Sequence, residues 1–336
     1  MNLLDDLIRG QRLSREEAAD WMSTVIQGEF TPEQLAGVLA ILRHRGETDG
    51  ELLGFLDALY DQCVRLPWRG GTLIDPVGTG GDGLNTVNIS TTVAFVLAAA
   101  GVPVAKHGNR AASSRSGSSD ALEAAGVPIT GDTNVLAQAL DEIGIAFLFA
   151  PYHHPALRRV APVRRAMGVM TTFNVLGPLA NPAPVTHQYL GVARPELLAR
   201  YASVTHARGI RARVVHGAWG ADEALPGGPF TIVDSGAPDA LSPRTIDPAA
   251  LGVAPCTLEA LRGGDAAQNA AIMLDCLQGR ATAAVEDAVA LNAGVALDLA
   301  GAAPSIEQGI ALARALMRDG EPLRVLRRYS EFVSRA

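Results

Sequence analysis

Two polar segments of this chain carry the residue types best suited to hold a charged small molecule. The first is Gly78-Thr-Gly-Gly-Asp-Gly83, and the second is Lys106-His-Gly-Asn-Arg-Ala-Ala-Ser-Ser-Arg-Ser-Gly-Ser-Ser-Asp120. Between Gly83 and Ser119 there is no Asp or Glu, although the whole chain carries a net charge of −7. An acid-free window with Lys106, His107, Arg110 and Arg115 points to an anionic ligand whose phosphates a carboxylate would repel. A glycine nest offers free amides, and Asn88-Ile-Ser-Thr91 reads as a helix start; both favour phosphate or pyrophosphate. The plainer alternatives are a tight strand-to-helix turn for the glycines and a serine-rich surface loop for the second segment.

Two nucleotide signatures fail on residues that can be checked. Gly78-x-Gly80-x-x-Gly83 matches the dinucleotide pattern, but the helix starts later, near Ser90, and no acid follows until Asp120. Leu84-Asn85 replace the Lys-Ser/Thr of a P-loop. Further along, Asp222-Glu223 follow a strand through a Gly-Ala-Trp-Gly turn. Adjacent carboxylates on a strand-end loop can hold Mg²⁺ with substrate oxygens and water, or can simply be solvated. The cluster from His153 to Arg165 is basic, and its plain reading is an exposed helix face or a capping turn.

These groups need elements to position them. The first 65 residues read as helices started by Ser14-x-x-Glu17, Thr31-Pro-x-Gln34 and Thr48-x-x-Glu51, three capping-box patterns. Leu35, Val38, Leu39 and Leu42 mark one buried face. After Trp68-Arg-Gly-Gly71, strand and helix patterns alternate. Candidate strands are 72–75, 102–105, 146–149, 188–192 and 212–216, with helices at 135–143 and 195–206 among the segments between them. This alternation implies an α/β domain with a largely parallel sheet. Residues 235–254 read as loop, and 258–336 as an Ala-rich helical part.

With 336 residues, 48% apolar and 19% charged, the composition is that of a globular protein with a substantial core. The acidic balance argues against nucleic acid as a partner. The start Met-Asn-Leu-Leu-Asp-Asp lacks a signal-peptide pattern, and Cys63, Cys256 and Cys276 are odd in number and scattered. The expectation is a cytoplasmic protein without a membrane role.

Gly78-Thr-Gly-Gly-Asp82, Asn88-Ile-Ser-Thr91, Lys106-His-Gly-Asn-Arg110 and Gly117-Ser-Ser-Asp120 together resemble the signature of the anthranilate phosphoribosyltransferases. His154-Pro155, Val163-Arg164, Phe173-Asn174, Leu176-Gly-Pro-Leu179, Asn181-Pro182, Asp222-Glu223 and the segment from Asp287 to Asn292 extend the resemblance over essentially the whole chain. It implies a small helical domain at residues 1–70, joined by helices from about 162–182, and a large α/β domain at 71–336. It further implies Mg²⁺-dependent transfer of phosphoribose from 5-phosphoribosyl 1-diphosphate to anthranilate, in tryptophan biosynthesis, by a homodimer formed through the helical domain.

The residues carried over for 5-phosphoribosyl 1-diphosphate are Gly78, Gly81, Asp82, Thr86, Asn88, Ile89, Ser90, Thr91, Lys106, His107, Gly108, Asn109, Arg110, Ala111, Ala112, Ser113, Ser114 and Ser118. Those for anthranilate are Gly78, Asn109 and Arg164, and those for Mg²⁺ are Ser90, Asp222 and Glu223. No residue is assigned as acid or base. The chain departs from the family at Met170, where an Arg is usual, and around Asp222-Glu223, which follow Ala221 and precede Ala-Leu-Pro-Gly-Gly. These departures keep open a paralogue acting on another aromatic amine or acid. A nucleoside phosphorylase is a more distant alternative, lacking here its Lys-x-Ser-Thr-Gly-Gly loop. A non-catalytic nucleic-acid-binding homologue is opposed by the charge.

Overall fold

The computed structural model describes residues 3–111, 115–236 and 241–335. The chain divides into two compact units, Met1–Arg65 with Ala150–Pro182 and Leu66–Phe149 with Ala183–Ala336. No helix among the described residues is long and apolar enough to cross a membrane.

The first unit is helical. Its longer helices are Arg15–Gln27, Pro32–Arg45 and Asp49–Gln62, and the chain returns to it with Ala150–His153, Ala161–Met167 and Thr172–Leu176. Ser14, Thr31 and Thr48 each accept the amide three residues on, while Glu17, Gln34 and Glu51 reach back to the cap. Two otherwise unpaired donors are thus satisfied at each start. A Cβ on Gly54 would lie 2.1 Å from the Arg15 carbonyl oxygen, so only glycine lets these two helices meet at that depth. Glu51 is fully buried, and it accepts bonds from the Leu13 amide at 2.9 Å and Arg45 at 2.5 Å.

The second unit is built on a seven-stranded sheet. Its strands are β1 (Ile74–Gly78), β2 (Val104–Gly108), β3 (Ile145–Phe149), β4 (His187–Gly191), β5 (Arg211–His216), β6 (Phe230–Asp234) and β7 (Arg244–Ile246). The spatial order is β3-β2-β1-β4-β5-β6-β7, parallel through β5 and antiparallel at β6 and β7. Both faces are covered, as the side-chain alternation of β3 shows. Ile145, Phe147 and Phe149 join the cluster built by the helices Ile89–Ala99 and Ala283–Leu299, while Ala146 and Leu148 pack on Leu136 and Leu140.

The order reverses at β1, which has β2 on one side and β4 on the other. Crevices beyond the carboxyl ends of strands at such a reversal are where open α/β sheets bind ligands. The expected strands 72–75 and 102–105 lie about two residues too early, because Gly78, Lys106, His107 and Gly108 are poor strand formers by propensity. Neighbours on both sides nevertheless hold them in register. The expected loop at 235–254, of which 237–240 lie outside the described residues, contains β7, and β6 had no counterpart among the candidate strands; both pair antiparallel at one end of the sheet.

Candidate active site

Four of the parallel strands end in, or just before, a glycine: Gly78, Gly108, Gly191 and Gly217. Three of these glycines make room for one segment. A Cβ would lie 2.1 Å from Asp222 Oδ2 at Gly78, 1.5 Å from the Asp222 carbonyl oxygen at Gly191, and 1.8 Å from the Glu223 carbonyl oxygen at Gly217. Side chains there would displace the backbone of Asp222-Glu223. The segment therefore crosses the carboxyl ends of β1, β4 and β5, at the sheet's reversal. The turn leading into it holds Trp219 at φ +60°, a left-handed conformation costing a bulky residue roughly 1–2 kcal/mol.

The side chains are pinned by backbone amides. The Gly80 amide donates to Asp222 Oδ2 at 2.7 Å, and the Ser90 amide to Glu223 Oε1 at 3.2 Å. Gly80 and Gly81 have φ of +63° and +77°, the glycine-only turn that aims the first of these amides. Asp222 and Glu223 keep part of their surface open, yet protein surrounds them. Burial pushes both carboxyls well above the usual range; Asp82 repels Asp222, and Asp222 and Asp82 repel Glu223.

That arrangement fits a divalent cation. Crowded oxygen donors of like charge are what Mg²⁺ accepts and relieves. Among the described residues no group of three or more His, Cys, Asp or Glu forms a metal cage, so substrate oxygens and water would complete the coordination shell.

Lys106, expected at a phosphate, is 3% exposed and donates to the carbonyls of Pro76 at 2.8 Å and His107 at 3.4 Å. Burial lowers its pKa, opposed by Asp75, Glu223 and Asp222. Asp75, fully buried on β1, accepts the His107 amide at 3.1 Å.

Arg110 pairs with Asp120 and Glu123 at 2.9 and 2.7 Å and sits over the Phe149 ring. Asp120 also accepts the amides of Ala111 at 3.0 Å and Gly117 at 2.9 Å, so the acid that ends the window ties its loop together. Asn109 and Ser118 are joined by bonds of 3.1 Å. A Cβ on Gly108 would lie 2.4 Å from Ser118 Oγ. Ala112, Ser113 and Ser114 lie outside the described residues.

Asn88 does not cap the helix Ile89–Ala99; its Oδ1 accepts from Asn269 at 2.8 Å. Ile89 is fully buried, leaving only its backbone for a ligand, and Thr91 Oγ1 is buried with no partner among the described residues. Thr86 bridges to Arg262, fastening the loop after the nest, in which Gly81 is exposed.

In the helical unit, the Arg164 guanidinium lies 5.4 Å from the Phe173 ring centre and 3.4 Å from Asn174 Oδ1. It has no carboxylate partner among the described residues, and burial lowers its pKa. His153 and His154 are instead structural. Their ring nitrogens bond the carbonyls of Val64 at 2.7 Å and Ala180 at 2.8 Å.

Sequence reasoning missed Gly191, Gly217, Asn269 and Asn292 as parts of this site. The two asparagines carried a signal, since each is a polar residue inside an apolar helical run.

Residues 1–63 and 70–323 match the glycosyl transferase family's helical bundle domain and a/b domain respectively. The anthranilate phosphoribosyltransferase of Thermomicrobium roseum is 46% identical over 97% of this chain and 95% of its own length. The crystal structure of the Thermus thermophilus enzyme superposes with a TM-score of 0.94 at 43% identity, covering 100% of both chains. The Saccharomyces cerevisiae enzyme, solved with 5-phosphoribosyl 1-diphosphate and Mg, gives 0.90 at 26% identity over 99% of this chain and 97% of that one. With the carboxylate pair seated on the glycine-ended strands and this likeness over nearly its full length, the chain belongs to the anthranilate phosphoribosyltransferase family.

Proposed function

We propose that this protein transfers the phosphoribosyl group of 5-phosphoribosyl 1-diphosphate to the amine of anthranilate, releasing pyrophosphate and N-(5-phosphoribosyl)anthranilate for tryptophan biosynthesis. The observation that carries this reading is the Asp222-Glu223 pair, fixed by the amides of Gly80 and Ser90 at the sheet's reversal. Mg²⁺ held by Asp222, Glu223 and Ser90 supplies positive charge to the departing diphosphate.

The chain's own residues position the reactants. The Gly78–Asp82 loop, Thr86 and Asn88–Thr91 are assigned to the diphosphate; Lys106, through its backbone, His107 to Ala111 and Ser118 are assigned to the phosphoribosyl group, and Ala112, Ser113 and Ser114, outside the described residues, are assigned to it by the resemblance alone. Arg164, with no carboxylate partner among the described residues, is assigned to the anthranilate carboxylate, and Asn109 and the Gly78 backbone are assigned to the same substrate. As the C1–oxygen bond breaks, its electron pair leaves with pyrophosphate. The amine lone pair forms the C1–nitrogen bond, and the proton is lost to solvent afterwards. A neutral arylamine needs no strong base, and His107 makes substrate contact only.

On this reading residues 1–70 with helices from about 162–182 form the helical domain, through which two copies associate in the cytoplasm. Residues 71–336 bind 5-phosphoribosyl 1-diphosphate. The test is loss of anthranilate fluorescence on incubation with 5-phosphoribosyl 1-diphosphate and Mg²⁺. Met170, in place of the family's usual Arg, favours a second reading in which another aromatic amine is the acceptor. Pyrophosphate release with such an amine, and none with anthranilate, would establish it.

A further inference from the structure

Asn292 lies on the helix Ala283–Leu299 and is 0% exposed. Its Oδ1 accepts from the Ala224 amide at 3.0 Å and from the Tyr189 hydroxyl at 2.6 Å. Its Nδ2 donates to the carbonyls of Ala224 at 2.7 Å and Ala288 at 2.7 Å. The amide group thus uses two donors and two lone pairs, its full capacity. By bonding both the N–H and the C=O of Ala224 it acts as a strand neighbour would, on a segment that belongs to no strand. Ala224 directly follows Glu223, and Tyr189 sits on β4, two residues before Gly191.

We propose that Asn292 and Tyr189 are positioning residues that set the Asp222-Glu223 carboxylates for a metal-bound diphosphate, an inference that rests on the phosphoribosyl-transfer reading above. Three contacts fix this short segment on different sides. The glycines of β1, β4 and β5 leave room beneath Asp222 and Glu223, and the Gly80 and Ser90 amides orient the carboxylates. Asn292 fixes the backbone where the segment leaves the strand ends. The helix Ala283–Leu299 also packs against Ile89–Ala99, the helix that carries Ser90. One helix is therefore the common reference for all three residues assigned to the metal. Loss of its grip on Ala224 lets the carboxylates drift while the sheet beneath stays intact.

The test measures Mn²⁺ binding by electron paramagnetic resonance, with 5-phosphoribosyl 1-diphosphate present and anthranilate absent, on the full-length protein. Tyr189→Phe removes one hydroxyl and keeps the ring; Asn292→Leu keeps the branching and the number of side-chain heavy atoms and removes every bond to Ala224. Asp222→Asn with Glu223→Gln is the comparator. Mn²⁺ affinity is expected to fall about 10- to 100-fold in Asn292→Leu, the usual effect of losing a group that orients metal ligands. Tyr189→Phe should show a smaller loss in the same direction, and the anthranilate KM should stay within about twofold of wild type in both, since uniform binding of that substrate is untouched.

A purely structural role would lower the melting temperature and leave the Mn²⁺ affinity of the folded protein unchanged. Wild-type Mn²⁺ affinity in both variants, with the comparator weakened, overturns the positioning role alone. Wild-type affinity in the comparator overturns the metal assignment and this inference with it. Should Asn292→Leu fail to fold, Tyr189→Phe decides.

Discussion

At the scale of single residues, the site is a contest between burial and charge. Asp222 and Glu223 carry raised pKa values because protein surrounds them and Asp82 adds a third negative charge. Removing both charges should remove metal-dependent turnover while leaving the fold in place. Asp222→Asn with Glu223→Gln is expected to cut the rate by at least about 10²-fold, the scale of a lost electrostatic group, with unchanged circular dichroism. Arg164 presents the opposite case, a half-buried cation with no acid beside it among the described residues. Arg164→Ala should raise the anthranilate KM roughly 10- to 100-fold, the equivalent of about 1.5–3 kcal/mol for a charged hydrogen bond. The KM for 5-phosphoribosyl 1-diphosphate should change little, and steady-state kinetics with each substrate varied separates the two.

At the scale of elements, the strand ends decide how close the acidic segment comes to the sheet. Gly191→Ala is the sharpest probe, because its Cβ would meet the Asp222 carbonyl at 1.5 Å, and backbone gives way less easily than a side chain. The expected result is a stability loss of about 1–3 kcal/mol by urea unfolding, typical of forced backbone shifts, and a larger proportional loss of activity. These glycines were visible in the sequence only as turn residues, and two of them were not read as site residues. Their partner segment lies well downstream of Gly191 and far from Gly78, and no local pattern encodes a close approach at that separation. The helix starts were legible, because a capping box is complete within four residues and needs nothing from elsewhere. The antiparallel strands β6 and β7 were not, since their pairing depends on a neighbour already in place.

For the whole molecule, pH sensitivity follows from the helical unit's buried imidazoles. Burial lowers the pKa of both His153 and His154. The unfolded chain binds these protons near the ordinary value of about 6.5, so it gains protons before the folded state does as pH falls. The stability these neutral rings contribute is present above that pH and is lost as pH drops through the folded values. Urea midpoints at pH 7.5 and pH 5.5 should show a smaller drop for His154→Gln, which keeps a donor for the Ala180 carbonyl, than for wild type. If the proposed homodimer forms, light scattering will give about twice the monomer mass, in line with the prevalence of two-fold assemblies.

The sequence by itself determined the helix starts, the α/β alternation, the glycine nest and the acid-free window, because each is written in neighbouring residues. It also carried the motif set that marks the family, including Asp222-Glu223. Only the tertiary structure decided what those groups do to one another. It turned Lys106 inward toward backbone carbonyls, closed Arg110 onto Asp120 and Glu123, and left Arg164 without an acid partner among the described residues. It also brought Asn292 and three strand-end glycines to one acidic segment. The physical reason is range: capping and periodicity act over a few residues, whereas charge compensation and close backbone approach depend on groups that only folding brings together.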